Sequence, residues 1–285
     1  MEVAITGAGG FIGRALARSL ESDGHRVLRV PRPFDASGFE GLDAVVHLAG
    51  EPIAARPWTK AQRTRIADSR SKGTELLANA LAGLADPPAS LISGSAIGYY
   101  GERGDDILYE DANAGTDFLA GVCTAWEQAT APAVAAGIRV CHLRTGIVLD
   151  SSGGALANMI KPFKLGLGGN AGKGQSWMSW ISLEDEVRAI RFALDTATVN
   201  GPLNLTAPNP VRNSDFTAAL GAALHKPTRL PIPAAIKHVP LGVGDLLHNL
   251  LFTSIRAVPK ALTDAGFRFG HETIDSALAA ALTKD

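Results

Sequence analysis

The chain has 285 residues, 46% hydrophobic and 19% charged, with a formal net charge of −1, enough to bury one large core and a smaller one. Near-neutrality, with a pI of about 6.7, excludes a global field that attracts nucleic acid or an anionic membrane. No run of ~18 apolar residues reads as a membrane span, and glycines with Glu2 stand where a leader peptide would need basic and apolar residues. A soluble, cytoplasmic protein is therefore expected. Cys123 and Cys141 are too few for a disulfide framework and read as small buried hydrophobes.

In chain order, Val3-Ala4-Ile5 reads as a first strand, followed at once by Gly7, Gly10 and Gly13. Phe11, Ile12, Ala15, Leu16 and Leu20 then fall at the apolar positions of a helix. A strand, a glycine turn and a helix in this order make a dinucleotide site. The tight turn needs a residue without Cβ, the pyrophosphate needs bare backbone, and the helix N-terminus supplies N–H donors. Arg26–Val30 reads as strand two. An acid about 20 residues beyond the glycines would hydrogen-bond the ribose of NAD. This chain has Val30-Pro31-Arg32 there, with no acid before Asp35. A guanidinium can pair with a 2′-phosphate, so Arg32 points to NADP(H). Arg70 and Lys72, early in a later helix, are placed to assist.

Residues 31–42 carry two prolines and two glycines and read as an irregular crossover to strand three, Asp43–Leu48. A long helix is expected over 59–83 with Thr59 as its cap. Ala89–Ser93 and Ile138–Leu143 read as strands four and five, with a helix between them through Phe118–Ala136. Such alternation is α/β: a Rossmann-type, doubly wound parallel sheet. Past residue 150 come glycine-rich stretches (151–154, 166–174), a strand at Asn204-Leu205-Thr206, and short helices near 213–224, 242–251, 259–265 and 273–282. The expected division is an NADP-binding domain over 1–165, which also receives the strand near 203–206. Residues 166–285 would form a smaller, mostly helical C-terminal lobe facing the substrate.

Other candidates divide between chemistry and packing. Trp177 reads as a cleft-lining aromatic or a surface-loop residue, and Trp180 as core. Arg56-Pro57-Trp58 lies at the ligand edge of strand three, or staples the long helix. The seven histidines show no i, i+4 pair and no cysteine or acidic clustering, so no metal is expected; His47 and His142 read as core. Glu110-Asp111 and Glu184-Asp185-Glu186 read as solvated or helix-capping acids.

Several segments together resemble the extended short-chain dehydrogenase/reductase superfamily: Thr6–Gly13, His47-Leu48-Ala49-Gly50, Ser93-Gly94-Ser95 with Tyr99-Tyr100-Gly101, and Gly174-Gln175 with Trp180-Ile181 and Asp185. More narrowly, the chain resembles the atypical NAD-dependent epimerase-like proteins of the SDR39U1/YfcH type. That likeness rests on Leu48–Ile53, Ser69-Arg70, Ala96–Gly101, Trp126-Glu127, Gly166–Gly169 and the tail Val258-Pro259-Lys260 with Gly266-Phe267. The resemblance covers nearly the whole chain. It implies NADP(H) held by Gly7, Gly10, Phe11, Ile12 and Gly13 of the turn, with Arg32, Leu48, Ala49, Gly50, Arg70 and Val148. It also implies a small-molecule, sugar-like or carbonyl/hydroxyl substrate and makes Asp185 structural; a homodimer is left open.

In the catalytic machinery the chain departs from the superfamily. A Tyr-x-x-x-Lys pair on the helix after the serine strand normally serves as acid/base and its activator, because residues one turn apart share a face. There are three tyrosines here, Tyr99, Tyr100 and Tyr109, and no lysine between Lys72 and Lys161. Matching the superfamily's helical glutamate to Glu127 puts Leu119 and Cys123 at the Tyr and Lys positions. Ser95 remains to polarise a substrate oxygen, with Tyr99 or Tyr100 as the next proton donor. Two functions follow: an oxidoreductase or epimerase with a substitute donor, or an NADP(H)-binding sensor or partner-binding protein without turnover.

Overall fold

Residues 1–31 and 33–283 are described in a computed structural model. Its first half runs β1 (Glu2–Thr6), α1 (Phe11–Ser22), β2 (Arg26–Val30), β3 (Ala44–His47), α2 (Lys60–Ala82), β4 (Ser90–Ala96), β5 (Ile107–Leu108), α3 (Phe118–Gln128), α4 (Ala131–Ala135) and β6 (Arg139–Thr145). The second half adds β7 (Ile147–Leu149), α5 (Gly154–Lys164), β8 (Trp177–Met178), β9 (Trp180–Ser182), α6 (Leu183–Asp195), β10 (Gly201–Leu205), β11 (Val211–Arg212), α7 (Asn213–Ala223), α8 (Val243–Leu251), β12 (Arg256–Ala257), α9 (Lys260–Asp264) and α10 (Ile274–Leu282).

Six parallel strands form the central sheet in the order β10-β6-β4-β3-β1-β2. After β1 the chain moves outward to β2, then returns to lay β3 on the other side of β1. This reversal opens a crevice above the carboxyl ends of β1 and β3, where open α/β sheets bind ligands. Both faces of the sheet are covered, so its strands are nearly continuous apolar runs. Val3, Ile5, Val46, Ile92 and Leu143 pack against Leu16, Ala17 and Leu20 of α1 and Ile190 and Ala193 of α6. On the opposite face Ala4, Val45, Leu91 and Val140 meet Leu77 and Leu81 of α2 and Ala133 of α4. A second core lies where Leu156 and Phe163 of α5, Trp180, Phe216 of α7 and Leu278 of α10 converge. No helix among the described residues is long and apolar enough to cross a membrane.

Most expected elements form within a few residues of their expected bounds, and the Thr59 hydroxyl caps α2 by accepting from Gln62 N–H. Two differences matter. The helix expected over 118–136 breaks into α3 and α4, because Pro132 at the start of α4 has no N–H to continue the ladder. The fourth and fifth expected strands run further, since β4 and β6 stay paired out to Ala96 and Thr145. That extension sets Ser95 directly opposite Arg144.

Candidate functional site

The glycine turn is built as its spacing requires. Gly7 takes φ +75°, a left-handed conformation, and a Cβ there would lie 2.8 Å from the backbone of Leu48 and Ala49. A Cβ on Gly13 would come within 2.3 Å of the Gly7 carbonyl oxygen, so the first turn of α1 can sit on the glycine turn only without a side chain. Gly10 caps α1 with no side-chain hydrogen bond, and no acid occupies the first turn. The opening N–H groups of α1 therefore point, with the positive end of the helix dipole, into the β1/β3 crevice. Phe11 closes one side by packing on Gly153 and Gly154 at the start of α5; Ile12 is half-buried beside it. These features fit a dinucleotide pyrophosphate.

The segment after β3 forms the facing wall. Leu48 and Gly50 are half-buried, and Ala49 is buried. Arg70 of α2 lies under Gly50, donating from Nη1 to the Glu51 carbonyl at 2.9 Å and the Ile66 carbonyl at 3.2 Å. Its guanidinium lies over the Trp126 ring, 5.0 Å from the centroid, and burial lowers its pKa. Arg70 was expected to assist at the 2′-phosphate, and its guanidinium is engaged by the Glu51 and Ile66 carbonyls. Arg70 sits beyond β3, while the end of β2 lies on the other side of β1. Lys72 instead pairs with Asp68 on its own helix at 2.9 Å. Val148 is buried in β7, next to β9. Arg32 lies outside the described residues.

Beyond the crevice a buried polar chain ties the central strands together. Arg144 binds Glu127 of α3 through both Nε and Nη2, at 2.8 and 2.9 Å. Its Nη1 donates to the Tyr100 hydroxyl at 3.0 Å and the Glu110 carbonyl at 2.9 Å. Ser95 donates its proton to Glu127 Oε1 at 2.7 Å, and Tyr100 donates its own to Asn204 Oδ1 at 2.7 Å. Two of the expected catalytic groups are thereby tied to buried partners. In this arrangement the one hydroxyl proton of Ser95 goes to a carboxylate. Tyr100 is fully buried, and burial pushes its phenol up to about 12, so it does not face a substrate. Tyr99 is different. Arg144 stacks on its ring at 3.5 Å, the residue is half-buried, and its hydroxyl makes no hydrogen bond with any described residue.

Leu119 and Cys123 do face the Gly98 backbone, where a Cβ would meet them at 3.4 and 3.8 Å. Neither is an acid or base. Burial pushes the Cys123 thiol up to about 12, and Cys141 up to about 11. Among the described residues no cluster of His, Cys, Asp and Glu could hold a metal.

Several other expectations sort out here. Trp180 and Trp58 are core residues, their indole N–H groups donating to Asn209 and Ile53 carbonyls. His47 bridges Thr6 and Thr74 at 2.6 and 3.0 Å, and His142 meets Thr130 at 2.9 Å. Asp185 accepts from Gly270 and His271 N–H and pairs with Arg188, a structural role. Glu110 and Glu186, which read as solvated or helix-capping acids, are both drawn in from solvent, Glu186 in the first turn of α6. Glu110 accepts from the Asn204 and Ala261 N–H groups, and burial raises its pKa.

Glu186 is wholly buried. Its Oε1 accepts from Thr145 at 2.9 Å, while Oε2 has no partner. Burial pushes its carboxyl up from 4.5 to about 8, so the folded protein keeps a proton that the unfolded chain releases at lower pH. Between those two values the native state binds more protons, so stability falls as pH rises, and it levels off outside that window. Urea unfolding between pH 5 and 8 is expected to show this loss in the wild type and a flatter profile in Glu186→Gln. Identical pH profiles would sink the assignment.

The buried chain was the part that sequence reasoning missed. A charged residue inside the apolar strand run Cys141-His142-Leu143-Arg144 was a readable signal that an acid must meet it, and Glu127 beside Trp126 was the available partner.

Residues 3–205 match the NAD dependent epimerase/dehydratase family, and residues 235–281 match a domain of unknown function, DUF1731. An epimerase family protein of Mycobacterium tuberculosis is 43% identical over 298 residues, spanning 99% of this chain and 98% of that protein. The crystal structure of human epimerase family protein SDR39U1 with NADPH superposes with a TM-score of 0.90 at 29% identity, covering 99% of both chains. A nucleoside-diphosphate sugar epimerase of Corynebacterium glutamicum gives 0.82 at 35% identity, covering 100% of this chain and 59% of that one. Glycine turn, sheet order and sequence agree: this chain belongs to the NAD-dependent epimerase/dehydratase family, among the epimerase family proteins that include SDR39U1.

Proposed function

We propose that this protein binds NADP(H) across the β1/β3 crevice and interconverts a carbonyl and a hydroxyl on a small, sugar-like substrate. The observation that carries the reading is the cradle of Gly7, Gly10 and Gly13, where added Cβ atoms would strike backbone rather than open space. The NADPH in the human relative's crystal supports the choice of cofactor. The α1 N–H groups would bind the pyrophosphate, Leu48-Ala49-Gly50 would line the crevice, and Arg32 would pair with the 2′-phosphate. Arg70 would hold the Gly50–Glu51 backbone against the cofactor, and Val148 would exclude water below it. Bound NADP(H) supplies the hydride donor and acceptor. Tyr99 would give or take the proton at the substrate oxygen, its ring fixed by Arg144 and its hydroxyl unengaged by any described residue.

A second reading, cofactor binding without turnover, is favoured by one observation. Leu119 and Cys123 occupy the face where the acid–base pair would stand, and the Ser95 proton is bound to Glu127.

Titrating NADPH and NADH into wild type and Arg32→Ala tests the cofactor. NADPH should bind at least about tenfold more tightly, a margin set by the 2′-phosphate contact, and Arg32→Ala should erase it. Equal wild-type affinities would overturn the NADP(H) assignment. A panel of nucleotide sugars, aldehydes and ketones then tests turnover, with Tyr99→Phe expected to lower kcat by roughly 100-fold. Unchanged kcat in that variant removes Tyr99 from the mechanism; NADPH binding without any turnover favours the second reading.

A further inference from the structure

Charge is unevenly distributed along the chain. Residues 151–183 and 216–244 contain six of its 27 lysines and arginines and none of its 28 acids. The chain as a whole has no field that attracts an anion, but these two stretches are locally positive. Their cations, Lys161, Lys164, Lys173, Lys226, Arg229 and Lys237, are all exposed. Lys161, Lys173, Lys226, Arg229 and Lys237 form no ion pair with any described residue.

The fold brings the two stretches edge to edge. Leu230 N–H donates to the Gly168 carbonyl at 3.2 Å, Ile232 N–H to the Asn170 carbonyl at 2.8 Å, and Gly172 N–H to the Ile232 carbonyl at 2.8 Å. Just upstream, α5 ends in a turn where Gly166 takes φ +73° and Leu167 N–H donates to the Pro162 carbonyl at 3.0 Å. Such a turn commonly folds its apolar residue back on the helix. Here Leu165 and Leu167 stay 75% and 55% exposed, beside Leu230 at 51%. Further along the second stretch, Leu241 is 80% exposed. A single exposed leucine is ordinary. Three along one hydrogen-bonded edge, set among cations, form a patch.

The chemistry of the patch selects its partner. Single-stranded nucleic acid is bound on aromatic side chains that stack with the bases, and no exposed residue in 161–174 or 225–241 is Phe, Tyr or Trp. Protein interfaces are depleted in lysine, whereas lysine supplies most of the charge here. Leucines able to enter the acyl boundary, ringed by cations that meet lipid phosphates and carboxylates, fit an anionic bilayer surface.

We propose that this face, built from the end of α5, residues 165–173 and residues 225–241, docks the protein peripherally on an anionic lipid bilayer. Leu165, Leu167 and Leu230 enter the headgroup layer, and Lys161, Lys226 and Arg229 lie on its charge. Docking is reversible, because three leucines and a few cations fall far short of the anchoring that a spanning helix gives. It uses no residue of the glycine turn and none of the Glu127–Arg144 chain, so it stands or falls apart from the reaction proposed above.

Vesicle sedimentation of the full chain tests this, with vesicles of phosphatidylcholine alone and of phosphatidylcholine containing about 30 mol% phosphatidylserine. Wild type should pellet with the phosphatidylserine vesicles and not with the neutral ones. Salt at about 0.5 M should release most of it by shortening the reach of the charges. Lys226→Gln combined with Arg229→Gln should weaken partitioning roughly 10- to 30-fold, the loss expected for two surface cations. Leu165→Ser, Leu167→Ser and Leu230→Ser together should weaken it at least about tenfold with the charge unchanged. Both variants should keep wild-type Tm and NADPH affinity, since every altered side chain is exposed. Equal partitioning to the two vesicle types, no binding to phosphatidylserine vesicles at about 1 mM lipid, or wild-type partitioning by either variant overturns the proposal. Polyuridylate binding without vesicle binding would assign the face to RNA. A dimer lost in the leucine variant, again without vesicle binding, would assign it to a second copy of this chain. Either result overturns the lipid assignment.

Discussion

Glu127→Ala is expected to be the most damaging single substitution at the site, lowering stability by about 3–5 kcal/mol. The Arg144 side chain is 4% exposed and Glu127 11%, so removing the carboxylate leaves a buried guanidinium with two donors unpaired. Ser95 loses its acceptor at the same time. On a chain of this size the loss corresponds to a Tm drop of roughly 6–20 °C, readable by calorimetry. The second half of the test is the double variant Glu127→Leu with Arg144→Met. Replacing both charges by apolar groups of similar volume is often near neutral, because the desolvation of the pair disappears with the pair. Most of the lost stability should return. A drop below about 1 kcal/mol in Glu127→Ala, the range of an exposed ion pair, would show that water reaches Arg144 and that the chain is not sealed.

Gly13→Ala should abolish most cofactor binding, with NADPH affinity weakened by at least about 100-fold, near 2.7 kcal/mol. The added Cβ would lie 2.3 Å from the Gly7 carbonyl oxygen and 2.9 Å from Ala8 Cα. Backbone atoms cannot rotate away, so α1 must shift off the turn and carry its N–H groups with it. Gly9 provides the contrast, since a Cβ there meets nothing within 4 Å. Gly9→Ala should therefore leave Tm unchanged, and any loss of NADPH affinity in it would come from contact with the ligand. Wild-type NADPH binding by Gly13→Ala would remove the turn from the cofactor site.

Local pattern carried the fold a long way. Apolar runs of strand length, the glycine triplet, the Thr59 cap and the short C-terminal helices are each decided by residues close in sequence, and each formed. Pro132 was equally local, and the break it makes between α3 and α4 was readable from its missing N–H. The catalytic assignments were not local in this sense. Ser95 and Tyr100 look available when read beside Tyr99. Whether a hydroxyl is available depends on what accepts its proton, and those acceptors, Glu127 and Asn204, lie 32 and 104 residues further along the chain.

Arg70 shows the same limit. Its place early in a helix near the nucleotide made a phosphate contact reasonable, but strand order puts it across β1 from the end of β2. The acids at 110 and 186 read as solvated or helix-capping because they stand among charged or turn-forming neighbours, and only packing revealed their burial.

The sequence by itself thus determined the sheet-and-helix alternation, the dinucleotide turn and the family, because propensity, capping and glycine geometry act over a few residues. Tertiary structure alone decided which polar groups remain free. It tied Ser95 and Tyr100 into the Glu127–Arg144 chain and left the Tyr99 hydroxyl without a hydrogen-bond partner among the described residues. A side chain's proton or charge is spent or kept by whichever distant strand folds against it.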